Sequence, residues 1–383
     1  MNRNLALDVL ADLMRWDDVR ANEEFDWLDL MSKLKYDGYR ELQPGVRFTE
    51  SLINWLQQFQ PSDRETAYNF IRHKLVYVGA AEMQRLVQSF YPEIVQPFLV
   101  KRIANQLSIH PYEIWTDSKA QNKLKIHLRK TLFLGLSDGA QTDTFRRSNA
   151  SRISNEQVAV TTQLEAAKWQ DLLDELRKDL GPDAKFSTVY LLDDFVGSGT
   201  SLIRQKRDPE TRKRSWKGKL HKFYNSLTKA KRPLSEPFFE DNWALCIHHY
   251  LAAHQAALAS NNIAKRYDTA LKTEKKKEWH NRVNFTFGHV FPESFPITTD
   301  KHDPFYLMVS SGKYYDPSIE NKHNEESGVR DIRFGYAECG LPLILEHNTP
   351  NNSVSLLWAE SDPQVKKQYH SMRPLFHRRQ RHS

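Results

Sequence analysis

The sequence predicts an α/β fold: an open, mainly parallel sheet preceded by an all-helical N-terminal domain. Three observations predict it. Residues 2 to about 109 repeat apolar side chains at the helical period. From Leu132 onward, short apolar runs alternate with amphipathic segments. The stretch from Val189 to Leu202, VYLLDDFVGSGTSL, joins an apolar run to two acids and a loop of small residues.

Taken in order, Thr49 is placed to cap a helix that buries Leu52, Ile53, Leu56 and Phe59. Ser62 and Glu65 form a capping box ahead of Ala67, Phe70, Ile71 and Leu75. Further stripes run through Met83, Leu86, Val87 and Phe90, and through Phe98, Leu99, Ile103 and Leu107. A DNA-reading helix-turn-helix would share this spacing, but no segment here is basic enough to favour it.

After His110 and Pro111 the pattern changes. A short helix over 118–129 leads into Leu132, Phe133, Leu134 and Leu136, a strand, and then into Ser137, Asp138, Gly139 and Ala140, a turn-rich loop. A long helix is expected over 155–180, with Ser154 and Gln157 as its capping box, Gly181 and Pro182 as its stop, and a stripe from Val158 to Leu180. That crossover feeds a second strand, 189–192, buried on both faces. Asp193 and Asp194 fall where this strand is expected to end, and Leu202 and Ile203 are expected to open a helix. Two more strands are expected over 243–250 and 282–290, with a helix over 254–262 between them. A last strand pair, 341–346 and 354–358, flanks HNTPNN.

Composition bounds the functional classes. The 383 residues are 39% hydrophobic and 11% aromatic, which argues for a folded chain of two domains. No apolar run approaches the roughly 20 residues that span a bilayer, so no membrane association is expected. The acid-bearing amphipathic N-terminus resembles neither a secretory signal nor a transit peptide, and a cytoplasmic location is expected. Cys246 and Cys339 alone indicate no disulfide framework and no cysteine metal site. A net charge of +7 permits phosphate-rich partners without identifying one.

The chemistry concentrates at strand ends. In Gly197, Ser198, Gly199, Thr200 and Ser201 the glycines let several backbone N–H groups turn toward one anion. The loops after Leu136 and after Leu192 both lie at carboxyl ends of strands, so they are expected to face one site. Residues 204–232 form a basic segment with Trp216, Phe223 and Tyr224 interleaved. Arg212, Lys213, Arg214, Trp216 and Lys217 are its candidates for tracking a nucleic-acid backbone and stacking on bases, and a solvated loop is the competing account. His347, Asn348 and Asn351 of HNTPNN would hydrogen-bond a base or close the site, and a tight turn explains them equally well. His248 and His249 would point to opposite faces of one strand, and with His254 they make no convincing metal site.

The strand, two acids, two apolar residues and hydroxyl-rich loop resemble the PRPP-binding motif of type I phosphoribosyltransferases, which implies an open sheet of that kind. The resemblance implies that Gly197, Ser198, Gly199, Thr200 and Ser201 bind the 5′-phosphate, and that Asp193 and Asp194 hold the ribose hydroxyls. It also implies that amides near Ser137, Asp138, Gly139 and Ala140 face pyrophosphate. Arg146 and Arg147 are then charge partners for that group, or they are solvated or pair with acids on the neighbouring helix. Mg²⁺ is expected as cofactor, reached through water by Asp193 and Asp194. Purine phosphoribosyltransferases carry an aspartate base within the loop, where this chain has Gly197. No lysine- and histidine-bearing catalytic loop of the orotate kind can be placed.

A wider resemblance covers SDGAQTDTFRRSN, NEQV, LLDDFVGSGTSL and HNTPNN followed by LLW. Together these are similar to the phosphoribosyltransferase-like proteins of bacterial conflict systems, the PRTase-CE group. Membership implies an antiviral defence effector that binds PRPP or a related ribose phosphate and transfers or hydrolyses it. The alternative is a non-catalytic PRPP- or nucleotide-sensing module acting through a retron reverse transcriptase and its RNA or DNA product. An oligomer is left open. The expected organisation is a helical domain over 1–115, the α/β domain over 116–360 with its basic insertion, and a basic tail over 361–383.

Overall fold

The structure, a computed structural model, describes residues 3–40, 42, 48–207, 214–231, 238–273, 283–320, 331–361 and 370–378. In chain order the elements begin with helices α1 (Arg3–Met14), α2 (Asp18–Leu34), α3 (Phe48–Leu56) and α4 (Pro61–His73). Strand β1 (Val76–Val78) and helices α5 (Ala80–Phe90), α6 (Gln96–Leu107) and α7 (Ser118–Arg129) follow. Next come β2 (Thr131–Gly135), α8 (Thr142–Ser148), β3 (Val158–Ala159), α9 (Ala166–Leu180) and β4 (Phe186–Val196). The remainder is β5 (Arg204–Arg207), β6 (Arg214–Lys217), α10 (Lys219–Lys231), β7 (Phe239–Ala252), α11 (His254–Thr273), β8 (Val283–Val290), α12 (Pro304–Ser310) and β9 (Leu343–Leu345).

Contacts divide the chain into two compact units, Met1–Glu82 with Pro292–Ser383, and Met83–Phe291. The boundary expected after residue 115 falls inside the second unit.

The first unit is built on an aromatic core. Trp55, Tyr36, Phe48, Phe59, Tyr68 and Phe70 are fully buried, and Phe70 stacks on Phe305 with ring centroids 3.7 Å apart. The capping box expected at Ser62 does not form. Helix α4 starts two residues earlier, on Pro61, whose fixed φ suits a first helical position, and Glu65 pairs with Arg20 at 2.5 Å instead. The N-terminal segment is not all helical either. Strand β1 pairs in parallel with β9, Val76 opposite Leu343 and Val78 opposite Leu345. The expected strand over 354–358 is a 3₁₀ turn, Ser355–Leu357, because Val354, Leu356 and Leu357 fill the same core.

The second unit holds a five-stranded, wholly parallel sheet in the order β3-β2-β4-β7-β8. Alternation along the strands gives it two apolar faces. Phe133 and Tyr190 stack on one face, where Phe90 of α5 lies 4.2 Å from His248 and Phe98 of α6 lies 6.1 Å from Tyr190. Leu132, Leu134, Val189, Leu191, Leu245 and Ile247 form the other face, with Trp169, Leu172 and Leu176 of α9 and Leu220 and Phe223 of α10 in the same core. Helices after residue 83 thus belong with the sheet, because their apolar stripes cover its aromatic face.

The helix expected over 155–180 is divided. Ser154 and Gln157 do form the capping box, but around a 3₁₀ turn, Asn155–Gln157. Gln157 then donates to Leu128 O and Thr131 O at 2.7 and 2.8 Å, which fixes β3 at the sheet edge before α9 begins.

Candidate functional site

The chain leaves β2 toward β3 on one side and leaves β4 toward β7 on the other. Their carboxyl ends therefore flank a point where the strand order reverses, the usual place for a ligand crevice in an open α/β sheet. Leu136 N donates to Leu192 O at 2.8 Å, so the loop that leaves β2 starts beside β4 just ahead of Asp193.

Strand β4 does not end at the acids. It stays paired with β7 through Val196, opposite Ala252, because Phe195 and Val196 continue the apolar run. Asp193 and Asp194 are consecutive residues of a continuous strand, so their side chains point to opposite faces.

Asp193 lies on the aliphatic face, opposite His249 in register and 2% exposed. Ser137 Oγ donates to its Oδ1 and Lys219 Nζ to its Oδ2. Burial pushes this carboxyl above its ordinary value, and Lys219 and Ser137 oppose the shift. His249 Nε2 is 3.9 Å from the same Oδ2, but burial holds the imidazole down to about 3, with the Lys219 charge adding to the effect. That histidine is neutral and its contact with Asp193 is no ion pair.

Asp194 lies on the aromatic face and is partly exposed. Its Oδ1 accepts from Phe195 N at 2.8 Å. A Cβ on Gly139 would sit 2.2 Å from its Oδ2, so only glycine lets the Ser137–Ala140 loop lie this close to the carboxylate. The structure thus brings the Ser137–Ala140 loop onto the two acids of β4: Ser137 touches one and Gly139 lies against the other. Ala140 N donates to Ser137 O at 3.1 Å, and Asp138 is exposed at the loop tip.

The loop Gly197–Ser201 turns on Gly199, with φ +74°, where a side chain would also strike Ile263 Cδ1 at 2.4 Å. Ser198 Oγ and Thr200 Oγ1 are 3.0 Å apart, and Ser201 is exposed. The helix expected at Leu202 does not follow. Both Leu202 and Ile203 are buried among Trp216, Leu220 and Phe223, and the chain goes on into an antiparallel ribbon, β5 with β6, before α10 begins.

Arg146 and Arg147 both pair with Asp143 at 2.8 Å, within α8 itself. Trp216, Phe223 and Tyr224 are core residues, 6%, 0% and 4% exposed, so the expected base-stacking role of Trp216 is corrected. Arg212 and Lys213 lie outside the described residues, and Arg214 and Lys217 lie on β6. His347, Asn348 and Asn351 belong to the first unit. There Asn348 N donates to Leu345 O at 3.0 Å, Asn351 O accepts from Tyr336 N at 2.7 Å, and the neighbouring Thr349 is fully buried within 2.9 Å of Tyr39 Oη. His248 and His249 point to opposite faces, as expected.

Lys219 and His249 are the site residues that sequence reasoning misses. Lys219 is one of many lysines in a basic segment, and only the fold makes it the first residue of α10, placed under β4. Among the described residues no group of three or more His, Cys, Asp or Glu could hold a metal ion, and no helix is long and apolar enough to cross a membrane.

A family model, PRTase-CE, matches residues 52–378 of the chain. No curated protein and no solved structure matches it.

Proposed function

The chain belongs to the PRTase-CE family and is phosphoribosyltransferase-like, and from that premise we propose that its second unit binds a ribose phosphate, PRPP or a nucleotide, at the carboxyl ends of β2 and β4. One observation carries this reading: at the reversal of strand order, the Ser137–Ala140 loop lies on Asp193 through Ser137 and against Asp194 through Gly139. Backbone amides and hydroxyls of Gly197–Ser201 would take the 5′-phosphate, and the Ser137–Ala140 loop would face pyrophosphate. Asp194, the partly exposed acid, would accept from a ribose hydroxyl. Asp193 would act beneath the site, bracing Ser137 and α10 against each other.

Mg²⁺ would arrive as part of the substrate, carried on pyrophosphate oxygens. A metal that keeps its waters and uses substrate phosphates needs one or two carboxylates, and Asp194, which is partly exposed, fits that requirement better than Asp193, which is 2% exposed. In a transfer or hydrolysis, the bond from C1′ to the pyrophosphate oxygen breaks, its electron pair leaves with pyrophosphate, and a nucleophile attacks an oxocarbenium-like C1′. The amide-rich loops would stabilise the charge that develops on the leaving group. A sensor without turnover is the second reading. It is favoured by Gly197 in the position of a loop base and by the pairing of Asp193 with Lys219. The defence role, with or without a retron reverse transcriptase as partner, is proposed on the family's character alone.

The test is a calorimetric titration of the full chain with Mg²⁺ and PRPP, followed by a pyrophosphate-release assay with pooled nucleotides. Asp194→Asn is expected to weaken binding at least about tenfold, the loss of one charged hydrogen bond, with the melting temperature unchanged. Equal affinity in wild type and Asp194→Asn would remove the ribose-phosphate reading. Binding without pyrophosphate release would select the sensor over the enzyme.

A further inference from the structure

The ribbon that follows the phosphate loop carries an energetic anomaly. Strands β5 and β6 pair Arg204 with Lys217, Gln205 with Trp216, Lys206 with Ser215 and Arg207 with Arg214. The first of these pairs, Arg204 with Lys217, sets cation directly against cation, an arrangement that destabilises a sheet by itself. Residues 211–231 contain no Asp or Glu at all. One face of the ribbon is accounted for, because Trp216 is 6% exposed and packs into the core with Leu202 and Ile203. By alternation, the opposite face carries Arg204 and Lys206, both half-buried, and Lys217, which is exposed.

We propose that this outer face, Arg204, Lys206 and Lys217, binds the phosphate backbone of a nucleic-acid strand. Arg204 and Lys206 are two residues apart on one strand, about 6.8 Å, close to the separation of successive phosphates in an extended polynucleotide. Lys217 lies across from Arg204 and widens the row. The only ribbon aromatic is buried, so binding draws on charge without base stacking and is independent of sequence. Position adds to this. Lys219 N donates to Ser201 O and Leu220 N to Leu202 O, both at 3.0 Å, so the ribbon is rooted directly behind the phosphate loop. A strand lying along it would bring its end to that loop. The proposal rests on the ribbon alone and survives if the ribose-phosphate reading fails.

The experiment is fluorescence anisotropy of the full chain with a labelled, unstructured DNA strand of about 20 nucleotides, between about 50 and 200 mM salt. The triple variant Arg204→Gln, Lys206→Gln, Lys217→Gln removes three phosphate contacts. Its plot of log affinity against log salt is expected to be shallower by about 2, at about 0.7 per contact for single strands, and its affinity at least about tenfold lower. Lys217→Glu alone, at an exposed position, keeps the test readable if the triple variant does not fold, with a several-fold loss expected. Unchanged slope and affinity in folded variants would overturn the proposal. So would the loss of binding to vesicles of anionic lipid with DNA affinity intact, because the surface would then be a membrane-facing one.

Discussion

Lys219→Met is expected to cost the second unit about 3 kcal/mol of stability, because it leaves the Asp193 carboxylate buried without its counter-charge. For a unit of this size that corresponds to a fall of roughly 6–12 °C in melting temperature, read by circular dichroism on the full chain. The stem of methionine fills much of the lysine's volume, so the loss reports charge more than packing. Lys219→Arg keeps the charge and is expected to recover most of the stability.

The same variant has a pH signature. The folded-state pKa of Asp193 is raised by burial, so its ionisation opposes folding, and stability falls as pH rises from the unfolded carboxylate value to the folded one. Lys219 limits that rise in wild type. Without it the folded pKa climbs further and the loss continues to higher pH. The deficit of Lys219→Met relative to wild type is therefore expected to be small in acid and to widen toward neutral pH. A deficit that is the same at pH 4 and pH 8 would mean that the lysine contributes packing and not charge.

The strands of the sheet are legible in the sequence where burial on both faces leaves near-continuous apolar runs, as at Leu132–Leu134 and Val189–Leu192. The β4 motif is legible because its glycines and hydroxyls have few other reasons to stand together. The division of the chain is not. The stripe of Met83, Val87 and Phe90 says that a helix is buried, but not that it is buried on Phe133 and His248 with the sheet. The stripe from Val158 to Leu180 reads as one helix only if the gaps between Val158, Leu164 and Trp169 are passed over, and the amide of Gln157, turned to the carbonyls of Leu128 and Thr131, reveals an edge strand there. Trp216 misleads for a related reason. In a basic segment an aromatic suits a base-stacking surface, and the alternation that buries it appears only once β5 and β6 are paired. Lys219 escapes because its significance is a contact 26 residues away along the chain.

Gly139→Ala is expected to abolish most ribose-phosphate binding while leaving the fold standing. The added Cβ would lie 2.2 Å from Asp194 Oδ2, 2.6 Å from its Cγ and 3.2 Å from Oδ1, well inside contact distance. Gly139 has no left-handed φ, so alanine meets no backbone obstacle and the clash is the whole effect. Asp194 is the element that yields, since its partly exposed side chain can swing while the loop is tied through Ser137 to Asp193. Displacing the carboxylate removes one charged hydrogen bond to the ligand and crowds the pyrophosphate side. This amounts to about 1.5–3 kcal/mol, or roughly 10- to 100-fold in affinity. A titration of wild type, Gly139→Ala, Asp194→Ala and the double variant with Mg²⁺ and PRPP closes the argument as a cycle. If the glycine matters because it admits the carboxylate, Gly139→Ala adds little once Asp194 is already alanine, and the two losses are far from additive. Equal losses in both backgrounds would separate the loop from the acid and leave the proposed site at the carboxyl ends of β2 and β4 without the contact that defines it.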